Sequence, residues 1–286
     1  MPIDIVDIIQ TLILDLSHAN NDIRERAAVQ LLDNAPDSVL PLIAALKTSD
    51  EVHVQRLAVW ALGEIGDARA IPALLGTLHH PDERVQDWSA RALGELRSSE
   101  AVPALLELLH HEHPSTRRNA ISALGWVGDP SAIKGIAAAL NDPENLVRSC
   151  AVDALWRFRN GDVIPLIIPM LDDSDEWVRS QAAHALGELE ANQALEPLLA
   201  ALQDPADWVR YNAAFALGKI GDFGAGKALM QCLETDPSAN VRRAAAESLG
   251  RVGDLQAIPY LEEALERENT PNLQRTIQTA IAMLQR

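Results

Sequence analysis

The 286-residue sequence predicts an all-α fold: a right-handed α-solenoid of about nine stacked two-helix repeats. Three observations lead there. The tripeptide Ala-Leu-Gly recurs at Ala61, Ala92 and Ala123, breaks to Ala154-Leu155-Trp156, and resumes at Ala185, Ala216 and, as Ser-Leu-Gly, at Ser248. Successive copies lie 31 residues apart, the last 32, and a fixed period of this size marks stacked helical units. Finally, Ala and Leu are abundant while only 3 Phe and 2 Tyr occur, a mixture that favours closely packed helices over sheets.

Within one period the elements follow in order. In residues 194–222, Leu195, Leu198, Leu199 and Leu202 share one helical face, Asp204-Pro205 breaks the chain, and Val209, Ala213, Ala216, Leu217 and Ile220 line the next helix. Gly221 suits the left-handed residue that ends a helix. Small Ala at the contacts lets axes approach to about 8–10 Å. Weaker copies of the pattern around Gln30 and Ala280 extend the array, so one solenoid over residues 1–286 is expected. The first helix is read as presenting Ile5, Ile8, Ile9, Leu12 and Leu16 to its neighbour, flanked by Val6 and Ile13. That wide apolar sector is either edge burial or a dimer or heterodimer contact. The last helix buries Leu273, Ile277, Ile281 and Leu284 and reads as a polar cap.

Composition excludes several function classes. A net charge of −17 opposes nucleic acid, whose binders displace counterions with Lys and Arg, and anionic membrane surfaces. Cys150 and Cys232 lie far apart, fitting a reducing compartment. The N-terminus has acids where a signal peptide carries Lys or Arg, and no apolar run reaches a membrane span. A cytoplasmic protein is expected. No nucleophile elbow, P-loop or dinucleotide fingerprint occurs, and the glycine-rich stretch at 221–226 joins two helices without a preceding strand. No catalytic residue is assigned. His79, His80, His110, His111 and His113 gather at matching turns of adjacent repeats; a zinc or nickel site is conceivable, but a solvated turn accounts for them without fixed tetrahedral geometry, and no metal is assigned. Cys150 near Arg148 and Arg157 is either a reactive thiol or an inert small residue.

The pattern D-x-x-V-R-x-x-A-A-x-A-L-G-x-[IL]-G-D-x-x-A-[IV]-P-x-L resembles the HEAT repeat, in its phycobiliprotein-lyase-like subtype, over essentially the whole chain. The resemblance implies that Pro41, Pro72, Pro103, Pro165 and Pro259 mark outer helices. It implies that Arg24, Arg117, Arg148, Arg179, Arg210 and Arg242 begin inner helices lining a concave side, paired with turn acids such as Asp173, Asp204 and Asp236. Gln55, Gln86 and Gln274 interrupt that series. It also implies a setting: proteins of this subtype include phycobilin lyases and phycobilisome chaperones, so the alternative function is a lyase or chaperone subunit with a linear tetrapyrrole bilin as cofactor. Lyase subunits carry paired rings such as Tyr-Ala-Ala-Trp-Trp-Leu-Gly, whereas residues 57–63 and 212–218 carry one ring each. The His-Glu pairs that hold iron in HEAT-like deoxyhypusine hydroxylases are absent from the inner helices.

A second stripe runs about 120° from the core stripe on each Val-Arg helix. It carries Trp208, Asn212, Phe215 and Lys219 in one repeat and Ser115, Asn119, Ser122 and Trp126 in another. Five of the 6 tryptophans fall on it; Trp156 replaces the repeat glycine instead. The rings either widen the core or face the groove as a protein-binding surface, where Trp and Arg dominate hot spots. On the second reading the partner-binding residues are Trp60, Trp88, Arg91, Trp126, Arg157, Trp177, His184, Trp208, Asn212 and Phe215, in a scaffold or adaptor that needs no cofactor. In the irregular fifth repeat, the ring of Trp156 is expected to force a wider gap between helices or a bend.

Overall fold

A computed structural model of the chain describes residues 4–285; residues 1–3 and 286, part of the predicted array, lie outside them. The chain divides into two compact units, Met1–Ala139 and Leu140–Arg286. Unit 1 contains α1 (Ile5–Asp15), α2 (Asn21–Asp33), α3 (Val39–Thr48), α4 (Val52–Ile65), α5 (Ile71–Gly76), α6 (Glu83–Glu95), α7 (Val102–Leu108), α8 (Pro114–Val127) and α9 (Ile133–Ala138). Unit 2 contains α10 (Asn145–Arg157), α11 (Ile164–Ile167), α12 (Glu176–Glu188), α13 (Leu195–Ala201), α14 (Asp207–Ile220), α15 (Gly226–Thr235), α16 (Ala239–Val252), α17 (Ile258–Arg267) and α18 (Pro271–Leu284). Among the described residues there is no strand, and no helix is long and apolar enough to cross a membrane.

Even-numbered helices are the Val-Arg helices, and consecutive ones pack along each other within a unit: α4 on α6, α6 on α8, α12 on α14, α14 on α16, α16 on α18. Consecutive odd-numbered helices meet far less, so the even set is the tighter, inner layer of each unit. Pro72, Pro103, Pro165 and Pro259 sit in the first turn of odd helices and mark where they start, because a missing N–H costs nothing there. The sequence reading allowed only tight turns there; the structure places a 3₁₀ turn before most of them, such as Ala68–Ala70 and Phe223–Ala225. The recurring Gly-Asp explains both features. Gly66, Gly128, Gly221 and Gly253 take φ near +70 to +80°, which a Cβ disfavours. The following Asp67, Asp129, Asp222 and Asp254 then accept a backbone N–H two residues on.

Of the predicted core stripe, Leu198, Leu202, Val209, Ala213, Ala216 and Leu217 are buried, each Leu contributing about 2 kcal/mol, while Leu195, Leu199 and Ile220 at its edges are half-buried. The repeat glycine shows how close the layer is. A Cβ on Gly187 would lie 2.8 Å from Ala216 Cα, and one on Gly218 would lie 2.3 Å from Ser248 Oγ. At α1 the expectation needs correction. Ile9, Leu12 and Leu16 are buried, but Ile5 and Ile8 are exposed together with Val6, because α2 and α3 cover only the C-terminal half of that stripe.

The arginine series becomes a ladder in unit 2. Arg148 donates two hydrogen bonds to Asp173, both at 2.8 Å. Arg179 engages Asp204, Arg210 Asp236 and Arg242 Glu268 in the same forked manner. The remaining nitrogen of each caps carbonyls of the preceding turn, as Arg179 Nη1 does on Asp173 O at 2.9 Å. In unit 1, Gln55 and Gln86 keep the local cap, on Ser49 O and His80 O, without the forked ion pair, and the slot that holds Asp173 or Asp204 in unit 2 holds Ser49, His80 and His111. Each slot residue accepts an N–H two residues on: His80 Nδ1 from Asp82, His111 Nδ1 from His113, Asp204 Oδ1 from Ala206. Of the clustered histidines, His80 and His111 are therefore turn caps, and His79 stacks on His111 at 6.1 Å; no metal-binding group of three occurs among the described residues.

Gly218→Ala should destabilise by about 1–3 kcal/mol through overpacking against Ser248, read as a lowered thermal midpoint. Arg179→Gln should retain the carbonyl cap yet strand the mostly buried Asp204, costing about 3 kcal/mol. Burial raises the Asp204 carboxyl, but the Arg179 bond and the Ala206 N–H outweigh it and hold it below the ordinary range; the Arg148 bond does the same for Asp173. A depressed carboxylate stabilises fully above its unfolded value near 3.9 and loses that contribution as pH falls through the lower folded value. The gap between wild type and Arg179→Gln in urea unfolding should therefore be constant above about pH 5 and close below about pH 4.

Candidate functional site

The second stripe lies on the inner layer and is open. Trp88, Trp126, Trp177 and Trp208 are 38%, 48%, 52% and 59% exposed, and Trp60, His184, Asn212 and Phe215 are half-buried. The rings are therefore not core residues between helices. Asn119, counted with this stripe from the sequence, is buried instead: its Nδ2 donates to Gln86 Oε1 at 2.7 Å, an amide pair between α6 and α8.

In unit 1, Trp60 on α4 and Trp88 on α6 line one cleft of about 390 Å³ with Glu25, Val29, Arg56 and Leu57. Arg91 is exposed and bonds Glu95 Oε1 at 2.7 Å one turn on. Trp126 lies over Gly94, where a Cβ would fall 2.1 Å from its own Cβ. Glu25, Val29 and Arg56 were missed from the sequence; the signal was present, since α2 carries the weak repeat around Gln30.

In unit 2 the structure brings Trp156, Arg157, His184 and Phe215 into one row across α10, α12 and α14. His184 stacks on Phe215 at 6.2 Å and meets Trp156 edge-on at 6.4 Å. Cations sit on the rings: Arg157 and Arg159 over Trp156, Lys219 and Arg251 over Phe215, all at 5.5–5.7 Å, each contact contributing about 0.5–1 kcal/mol. Arg157 is also held by Asp153 Oδ2 at 2.9 Å, and Trp156 Nε1 donates to Asp153 Oδ1. Consistent with a ring in the glycine slot, α10 and α12 pack less fully than α12 and α14. A second group joins Trp208 edge-on to Tyr211 at 5.7 Å, with Arg243 over Tyr211 at 5.8 Å. Asn212 Nδ2 donates to Ser180 Oγ at 2.8 Å, across to α12. Tyr211 and Arg243 had no sequence signal, because they lie one residue beside the stripe, whereas Arg251 holds the position of Lys219 on it and was missed because the α16 copy carries no ring.

Among the described residues neither cysteine is an activated nucleophile. Cys150 is half-buried, and burial pushes the Cys232 thiol up to about 11, the opposite of activation.

Stacked two-helix repeats with an open aromatic inner face define the chain as an α-solenoid repeat protein. A model of HEAT repeats matches residues 9–89, 74–149, 133–214 and 195–282. The chain belongs to the HEAT-repeat family. Its fold is similar to the crystal structure of YibA from Escherichia coli (TM-score 0.66, 20% identity, 94% of this chain and 98% of that one). It is also similar to Kap95p in a structure with RanGDP (0.66, 16%, 98% and 44%) and to an engineered protein (0.50, 21%, 97% and 89%). At these identities the likeness is one of fold. No curated protein matches the sequence.

Alanine at Trp177 and Trp208 together should leave urea-unfolding stability within about 0.5 kcal/mol of wild type, whereas Leu186→Ala in the enclosed core should cost about 2–5 kcal/mol.

Proposed function

We propose that the protein is a binding scaffold or adaptor that holds protein partners on the inner face of its Val-Arg helices. The exposure of four tryptophans at equivalent or neighbouring positions of that face carries the reading. Tryptophan left open forfeits the burial that ordinarily stabilises a fold, and Trp with Arg supplies the energetic centre of interfaces. HEAT repeats fit such a role because stacking yields a long, regular surface from short units, and Kap95p, of similar fold, is described binding RanGDP. The net charge of −17 favours a protein partner over nucleic acid. The bilin alternative rests on the subtype resemblance; the family match reaches HEAT repeats, and the inner face presents single rings on successive helices.

The test is site-specific photo-cross-linking in the source cell. A cross-linking residue placed at position 88 or 208 should trap a discrete partner, and the yield should fall several-fold when Trp60 or Trp177 nearby is replaced by Ala. The same residue at Leu255, exposed on the turn before α17, should trap none. Equal trapping from all three positions would remove the inner face as the binding surface.

A further inference from the structure

The inner-face reading leaves the chemistry of the occupant open, and the row that begins the Val-Arg helices of unit 2 speaks to it. Leu146, Trp177 and Trp208 hold the same position on α10, α12 and α14, and all are more than half exposed. Open apolar side chains at one register on consecutive helices form a continuous ridge, the kind of surface that marks an interaction site.

Carboxylates flank this ridge: Glu144 before Leu146, Asp175 and Glu176 before Trp177, and Asp207 before Trp208. Glu144, Glu176 and Asp207 are themselves exposed. The arginines one turn further on do not neutralise them, because Arg148, Arg179 and Arg210 are forked onto Asp173, Asp204 and Asp236. Helix N-termini carry about half a positive charge each, so four carboxylates over three such ends leave the ridge negative. A Trp face attracts a cation, adjacent carboxylates add to that attraction, and the charge of −17 draws cations toward the surface.

Spacing selects the backbone of the occupant. Helices that pack closely stand about 8–10 Å apart. A polyproline II chain rises about 3.1 Å per residue with three residues per turn, so the same face returns every ~9.3 Å. A β-strand returns after about 6.8 Å and falls out of step. We propose that this ridge binds an extended basic segment of a partner protein, in polyproline II conformation, with Lys or Arg at every third residue. The aliphatic stems lie on Trp177 and Trp208 and the cationic heads by Glu176 and Asp207.

Fluorescein-labelled peptides titrated against the full chain by anisotropy test it. The probe is Lys-Pro-Ala repeated three times, with Glu-Pro-Ala, Leu-Pro-Ala and alternating Lys-Ala peptides of equal length beside it. The Lys-Pro-Ala peptide should bind tightest. Trp177→Ala with Trp208→Ala should weaken it about tenfold, with Phe at both positions recovering part of the loss. Glu176→Gln with Asp207→Asn should weaken it several-fold and flatten its salt dependence. Unchanged thermal midpoints show that these exposed positions act through binding. Equal binding of the Glu-Pro-Ala peptide, or indifference to the Trp substitutions, overturns the proposal; the second result would mean diffuse attraction to an acidic surface. Tighter binding of Leu-Pro-Ala through the same rings, or no peptide binding while cross-linking at positions 88 and 208 persists, removes the basic occupant but leaves the inner-face scaffold standing.

Discussion

The separation of consecutive Val-Arg helices, too small to admit a methyl group, is the constraint on which both units depend. Gly63, Gly94, Gly187, Gly218 and Gly250 each face a residue of the next helix at a distance that a Cβ would violate. Glycine in a helix costs about 1 kcal/mol relative to alanine, and the sequence accepts that cost repeatedly because close approach lets Val, Ala and Leu of both helices exclude water. Close packing in the inner layer also dictates what remains outside it. A side chain as large as Trp fits that contact poorly, and Trp88, Trp126, Trp177 and Trp208 stand open on the neighbouring stripe. Trp156 shows the alternative: a ring placed in the glycine slot lies half-buried beside Asp153 and His184, next to the less fully packed pair of helices.

Turn chemistry supplies the second level of cohesion, and it differs between the units. One slot in each repeat takes an acceptor that caps the backbone two residues on, a task that Asp, Ser and the His ring all perform. Only an acid can also receive the forked arginine of the preceding repeat. Unit 2 combines both functions in one carboxylate, tying each repeat to the next by charge-assisted bonds. Unit 1 separates them, and its contacts between repeats include the Asn119–Gln86 amide pair, the stacked imidazoles of His79 and His111 and an Arg118–Asp87 ion pair.

The fold was legible because it is written many times over. Period, core stripe, terminal Gly, outer Pro and the acids facing Arg148, Arg179 and Arg210 all follow from local sequence repeated at one spacing. The errors fall where repetition fails. At α1 the described helices α2 and α3 leave Ile5 and Ile8 exposed, although the apolar stripe was read as presenting them to the neighbouring helix. Asn119 shares the register of Trp88 and Asn212, yet Gln86 on the adjacent helix draws it inward, a pairing visible only when two helices are set side by side. Tyr211 and Arg243 were missed for the same reason: their contact is between repeats, one residue off the stripe. The ring-bearing stripe itself was located from the helical period, but its exposure was not, since the same period serves rings that fill a core and rings that face outward.

The uneven rungs bear on how each unit yields under load. Forked ion pairs resist both sliding and splaying of neighbouring repeats, so unit 2 presents its rings on a stiff template and forfeits little ordering entropy when something docks. In unit 1 Gln55 and Gln86 replace the forked arginines, and a buried Gln55 Oε1 has no hydrogen-bond partner among the described residues, so fewer charge-assisted bonds tie the turns near the cleft around Trp60 and Trp88.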